Sequence, residues 1–142
     1  MPDHEDETAI IELLNRITTA YRDRDADAAV AADAADATIY DLAPPLQQRR
    51  RSEDVAAWLE GWQGPVEQEF RDVRVHVDGD VAFAYGLARV KATTLDGQAA
   101  QWWMRYTAGF RRQNGGWKIV HEHSSVPFYM DGSFRAAIDL EP

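Results

Sequence analysis

Apolar residues recur at three- and four-residue intervals early in the chain, where Ile10, Leu13, Leu14, Ile17 and Tyr21 make one stripe along a helix. The segment opens on acidic residues and carries Arg16 and Arg22 later, which suits the helix dipole. Asp25 is placed to cap a second, shorter helix that runs to about residue 33, with Ala28, Ala29, Val30 and Ala32 as a small packing face. Residues 37–42 are β-branched and aromatic and read as a short strand, ended by Pro44-Pro45. Ser52 starts a third helix, in which Val55, Trp58, Leu59 and Trp62 keep helical spacing until the Gly61 to Pro65 stretch stops it. From Glu67 the period changes to two: Phe70, Val73, Val75 and Val77 lead to the hairpin signal Asp78-Gly79. Three further strands follow, over about 81–93, 98–112 and 117–126, separated by Asp96-Gly97 and Asn114-Gly115-Gly116. Helices first and a meander of strands after them make an α+β chain, with residues 129–142 as a loose tail.

Turn length decides which side chains share a face. A two-residue turn at Asp96-Gly97 sets Tyr106 opposite Leu87 and Met104 opposite Arg89. Tyr85, Leu87 and Arg89 then share a face with Met104, Tyr106 and Ala108, and the opposite face takes Gly86, Ala88, Trp103 and Arg105. The last turn leaves two outcomes. A two-residue loop at Asn114-Gly115 brings His121 and His123 to the Tyr106 face, whereas a three-residue loop with a glycine bulge brings Glu122 and Ser124 there.

Composition narrows the function classes. With 142 residues, no cysteine, and 24 Asp plus Glu against 15 Lys plus Arg, the chain reads as one soluble acidic domain with a cytoplasmic home expected by default. A net charge of −9 argues against a nucleic-acid partner, because such binding rests on basic residues neutralising phosphates. No basic segment followed by an apolar run opens the chain, and no apolar stretch approaches the ~18 residues of a membrane span. Disulfide and thiolate chemistry are excluded.

Three strings carry a family resemblance: Asp36-Ala37-Thr38-Ile39-Tyr40-Asp41 before a proline-containing loop, Asp78-Gly79-Asp80-Val81-Ala82, and Gly115-Gly116-Trp117-Lys118-Ile119-Val120-His121-Glu122-His123-Ser124. Over roughly residues 8–128 the chain resembles the SnoaL-like and ketosteroid-isomerase-like branch of the nuclear transport factor 2-like superfamily. The resemblance implies a single domain over residues 1–142: a cone-shaped, curved antiparallel sheet wrapped around three N-terminal helices, with an internal pocket. It also implies a homodimer. Asp41 stands where ketosteroid isomerases place their proton-shuttling aspartate, and Tyr106 where they keep a protonated aspartate as oxyanion donor, an arrangement that is a standard case of pKa tuning. The helical tyrosine of those enzymes has no counterpart, since Ile17 occupies its position and Tyr21 lies one turn later. The His-Glu-His-Ser string is also similar to the association domain of calmodulin-dependent kinase II, whose pocket arginines have no match at Ala108 or Ser124. By that likeness Glu122 and Ser124 point inward and the histidines outward.

The chemistry follows from what a general base needs: a carboxylate near apolar walls with a donor across the cavity. Asp41 and Tyr106 supply such a pair, although Asp41 also suits a turn before Pro44-Pro45. Glu122, in a strand of Val, Ile and Trp, requires a partner, for which Arg89 is the candidate, as a structural ion pair or as a binder of an acidic substrate. Tyr21, Trp62, Tyr85, Met104, Ala108 and Ser124 complete the expected pocket. The adjacent Trp102 and Trp103 must point to opposite faces. Arg49-Arg50-Arg51 reads as a solvated cluster at the cone rim. His121 and His123, with His76 or His4, make too thin a donor set to assign a metal, and no cofactor is expected. Trp117, Ile119 and their neighbours make one sheet face apolar, which points to a homodimer through an uncovered face. The expected ligand is a small apolar or carbonyl-containing molecule. Three functions fit these residues: a cofactor-free isomerase or lyase with Asp41 as base, a hydrolase in which Asp41 and Glu122 activate water, and a non-catalytic binding or oligomerisation module.

Overall fold

The computed structural model describes residues 2–142, with side chains from residue 4 onwards. Its elements run α1 (Pro2–Arg22), α2 (Ala26–Val30), β1 (Asp33–Tyr40), α3 (Ser52–Glu60), β2 (Trp62–Asp78), β3 (Val81–Thr94), β4 (Ala99–Gln113) and β5 (Gly116–Ser125). The strands form one sheet in the order β1-β5-β4-β3-β2. β2 to β5 are the antiparallel meander, and β1 joins the sheet parallel to β5, with Thr38 opposite His121 and Tyr40 opposite His123. A parallel neighbour needs a long crossover, and the rest of the chain, α3 and the meander, provides it.

The helices cover one face of the sheet. Ile10, Leu13, Leu14, Ile17 and Tyr21 of α1 are all buried against Ala82, Ala84, Ala88, Val90 and Ala92 of β3 and against Phe110, Trp117 and Ile119. The backbone of α1 comes closest to β2, and the small residues at alternate positions of β3 leave room for its side chains. Each large side chain buried there contributes roughly 1.5–3 kcal/mol. Asp6 fastens the start of α1 to the far hairpin, accepting from Arg112 Nη2 (2.8 Å) and Trp117 Nε1 (3.2 Å). Arg24, just past α1, donates to the carbonyls of Leu59 (2.8 Å), Trp62 (3.2 Å) and Gly64 (2.7 Å), so it ties the end of α1 to the end of α3 and the start of β2. Among the described residues no helix is long and apolar enough to cross a membrane.

Several expectations change at the turns. The β3–β4 loop has three residues, Leu95, Asp96 and Gly97, closed by Thr94 N–H donating to Gln98 O (2.8 Å), with Gly97 at φ 88°. Tyr106 therefore lies opposite Gly86, and Met104 opposite Ala88. With a side-chain period of two, this one-residue change exchanges the faces of β3. Tyr85 and Arg89 move to the outer face: Tyr85 stacks with His76 (5.9 Å), and Arg89 pairs with Glu69. Trp103 lies on that face too, beneath Arg71 at 4.9 Å.

The β4–β5 turn is the two-residue type, with Asn114 (φ 52°) and Gly115 (φ 81°) both left-handed and Gln113 opposite Gly116. That turn alone would send the histidines inward. Val120, however, is an extra residue, because Phe110 pairs with Ile119 and Gly109 with His121. Beyond this bulge Glu122 lies opposite Ala108 and Ser124 opposite Tyr106 on the inner face. His121 faces outward, where its Nδ1–H donates to Thr38 O (2.7 Å) and its ring meets Tyr40.

Three smaller corrections follow. Trp117 and Ile119 belong to the face that the helices cover, so the apolar face they define is not open; the uncovered face shows Val81, Phe83 and Tyr85 instead. Trp62 is the first residue of β2 rather than the end of α3. Residues 129–142 are folded back, not loose: Phe128 bridges to Ala136, Ala137 N–H donates to Pro127 O (2.8 Å), and Ala137 is buried.

Candidate functional site

A cavity of about 380 Å³ lies between α1, α3, the loop after β1 and the inner face of the sheet. Such a volume is at the small end of ligand pockets and suits a body of one or two rings. One wall is apolar and largely aromatic, made by Ile17, Val55, Trp58, Phe70, Trp102 and Met104. The other end is polar, formed by Tyr21, Arg50, Tyr106, Glu122 and Ser124.

Arg50 organises the polar end. The loop after β1 turns back on the strand that precedes it, with Ile39 and Gln48 exchanging backbone hydrogen bonds of 2.8 and 3.0 Å. Two residues later the chain delivers Arg50 inward. Its Nε and Nη2 donate to Asp33 (3.0 and 2.8 Å), and its Nη1 donates to Glu122 Oε1 (2.8 Å). Tyr106 Oη–H donates to the other Glu122 oxygen (3.0 Å). The Arg50, Asp33 and Glu122 side chains are only 8%, 8% and 11% exposed. The expectation that Glu122 must have a cationic partner is met by Arg50, not by Arg89. Nor is Arg50 a solvated rim residue. Three consecutive arginines in an extended segment cannot all face water on one side, and that alternation is the signal that marks the middle one.

Burial sets the protonation of this cluster. It pushes the Tyr21 phenol up to about 12, with the Glu122, Asp41 and Asp33 charges adding to the effect and Arg50 opposing it. Burial likewise holds Tyr106 well above the ordinary phenol range, reinforced by the Glu122 charge and the bond Tyr106 donates to it. For Arg50 burial works to lower the pKa, but the Glu122 and Asp33 carboxylates outweigh it and keep the guanidinium charged. Asp33 is pushed up by burial against the lowering effect of Arg50. Two neutral phenols and a charged guanidinium hydrogen-bonded to Asp33 and Glu122 therefore describe the site at neutral pH.

The other expected site residues divide clearly. Tyr21 does reach the cavity, packing edge-on against Trp58 (6.0 Å). Met104, Glu122 and Ser124 line it as well. Asp41 lies on the rim, exposed, and its Oδ1 accepts from Leu42 N–H (2.8 Å), so it both turns the chain and borders the cavity. Trp62 is behind the wall rather than in it, tying Trp58 (5.8 Å) to Trp102 (6.0 Å). Ala108 is fully buried in the core and does not line the cavity. Tyr85 and Arg89 lie outside altogether. Two hydroxyls at the polar end, those of Tyr21 and Ser124, have no hydrogen-bond partner among the described residues. The Trp102 indole N–H is likewise buried without a partner.

Known structures repeat this architecture. The chain is 34% identical to an NTF2-like protein of unknown function from Pseudomonas putida, with 96% of each chain covered and a TM-score of 0.84. A nuclear transport factor 2 (NTF2-like) superfamily protein from Salmonella enterica matches at 19% identity, covering 92% of this chain and 96% of that one, with a TM-score of 0.77. The association domain of C. elegans CaMKII matches at 16% identity over 87% of this chain and 98% of its own, with a TM-score of 0.72, which speaks for the fold alone. None of the curated proteins matches. A family model for the SnoaL-like domain matches residues 10–129, most of the chain, and the protein therefore belongs to the SnoaL-like domain family of the nuclear transport factor 2-like superfamily.

Proposed function

We propose that the cavity binds a small, mainly apolar carbonyl compound and that the protein moves a proton on it, as an isomerase or lyase with Asp41 as the base. One observation carries this reading: an aromatic wall faces two hydroxyls that lack partners, with a carboxylate on the rim between solvent and cavity. Trp58, Phe70 and Trp102 take the apolar body. Tyr21 is the donor to the developing oxyanion, because its hydroxyl is unspent while Tyr106 gives its own to Glu122. Glu122 is less available as a base than Asp41, since its oxygens already accept hydrogen bonds from Arg50 and Tyr106. The same pairing weakens the two-carboxylate hydrolase reading, although both carboxylates border one cavity.

A positioned base contributes typically 10²–10⁴-fold, so its removal is measurable. With β-tetralone, a two-ring ketone, in deuterated buffer, the protein is expected to accelerate exchange of the protons beside the carbonyl. Asp41→Asn should lose about 10²-fold or more of that acceleration without changing affinity for the ketone. The exposure of Asp41 and its bond to Leu42 N–H favour a second reading, a non-catalytic binding module. Ketone binding without any exchange above buffer would establish that one and retire the base.

A further inference from the structure

The charge balance of the cavity narrows its ligand. Arg50 is the only cation on the wall among the described residues, and its donors are occupied by Asp33 and Glu122. One guanidinium between two carboxylates leaves one negative charge at the polar end. The rim adds two more carboxylates. Asp41 has no ion pair among the described residues, and Asp54 has only the exposed Arg51 at 3.3 Å. An anionic group entering here would meet like charges and no free cation.

The opposite wall has the same preference. Trp58, Phe70, Trp102 and Tyr21 surround the space, and ring faces attract positive charge. Glu122 and Ser124 are next-but-one neighbours on the inner face of β5, and as whole residues they are 8% and 7% exposed. The Ser124 hydroxyl has no partner among the described residues and can accept a bond.

We propose that the ligand is an organic cation: an apolar body of one or two rings lying against the aromatic wall and bearing a protonated amine, with the ammonium donating to Glu122 and Ser124 at the polar end. This inference rests on the cavity being the binding site and refines its substrate to an amino-substituted carbonyl compound. Tyr21 then remains free for the carbonyl.

The test uses one skeleton with three charges, titrated calorimetrically into the whole protein at neutral pH and low salt: β-aminotetralin, β-tetralol and tetralin-carboxylate. The ammonium is expected to bind at least tenfold more tightly than the alcohol, and the carboxylate more weakly than either. Glu122→Gln should reduce the ammonium's advantage to less than threefold and leave the alcohol unchanged. Since that change also strips a partner from Arg50, Ser124→Ala and Asp41→Asn serve as milder variants, each lowering ammonium affinity severalfold with alcohol affinity kept. Equal binding of ammonium and alcohol, or tightest binding of the carboxylate, overturns the inference, and continued β-tetralone binding shows that the cavity reading survives it. If no member of the series binds and the ketone fails as well, both fall together.

Discussion

Two arginine–carboxylate pairs in this protein have the same 2.8 Å separation and different physical meaning. Arg50 and Glu122 are 8% and 11% exposed, and Arg89 and Glu69 are 30% and 44% exposed. The first pair has given up its water and is held by Asp33 and Tyr106 as well, so each member depends on the others to offset its desolvation. Water and salt screen the second pair. Contact distance therefore says little about which pair matters; the face of the sheet does. β5 carries Lys118 outward and Glu122 inward, β3 carries Arg89 and Lys91 to the outer face, and the register of the turns sorts these charges into a structural cluster and a surface ornament.

The sharpest way to break that contrast is Arg50→Ala. It leaves Asp33 and Glu122 buried without a cation and should cost about 3–5 kcal/mol in urea unfolding. A cost below about 1 kcal/mol would mean that water reaches the cluster and that the two pairs are alike.

A second effect comes from pH. The Tyr21 phenol is raised from 10.0 to about 12 in the folded protein, so the fold favours its neutral form. That stabilisation is complete below the unfolded phenol's pKa and is lost as pH rises through about 12, a change of roughly 2–3 kcal/mol. Urea midpoints measured across this alkaline range should fall more steeply for the natural protein than for Tyr21→Phe. Parallel curves would show that the phenol titrates as it does in water.

The smallest effect belongs to Arg89→Ala, expected to cost less than about 1 kcal/mol and to lose even that at high salt. A larger loss would trace to its packing over Trp103, 5.9 Å from the guanidinium.

Much of this arrangement is legible in the residues. The stripe from Ile10 to Tyr21 marks α1, Ser52 marks the start of α3, and three glycine-containing turns mark the meander. The demand of Glu122 for a cation is legible too. Register is harder, because Asp96-Gly97 suits a two-residue turn and also suits the end of a three-residue loop with glycine left-handed, and local preference barely separates them. The Val120 bulge has no turn residue to announce it. It brings Glu122 to Arg50, a partner that lies 72 residues away and so leaves no local trace. Likeness to the kinase association domain anticipates Glu122 and Ser124 inside where strand arithmetic leaves both outcomes open. Trp62 escapes a periodicity reading because helical spacing runs on for two residues past the last helical hydrogen bonds.

Val120 also bears on how such a pocket diversifies. Were Val120 paired in regular alternation rather than bulged, with the Asn114-Gly115 turn unchanged, β5 would present His121 and His123 to the cavity and turn Glu122 and Ser124 to the outside. Substitution, one position at a time, must pass through clusters whose charges are half matched and costly to bury. Flattening the bulge at constant chain length exchanges the whole set in one step, from carboxylate and hydroxyl to a pair of imidazoles, whereas deletion of Val120 removes the bulge and leaves Glu122 opposite Ala108. Within one scaffold, the place where a strand bulges is thus a shorter route to new chemistry than replacement of the pocket residues one by one.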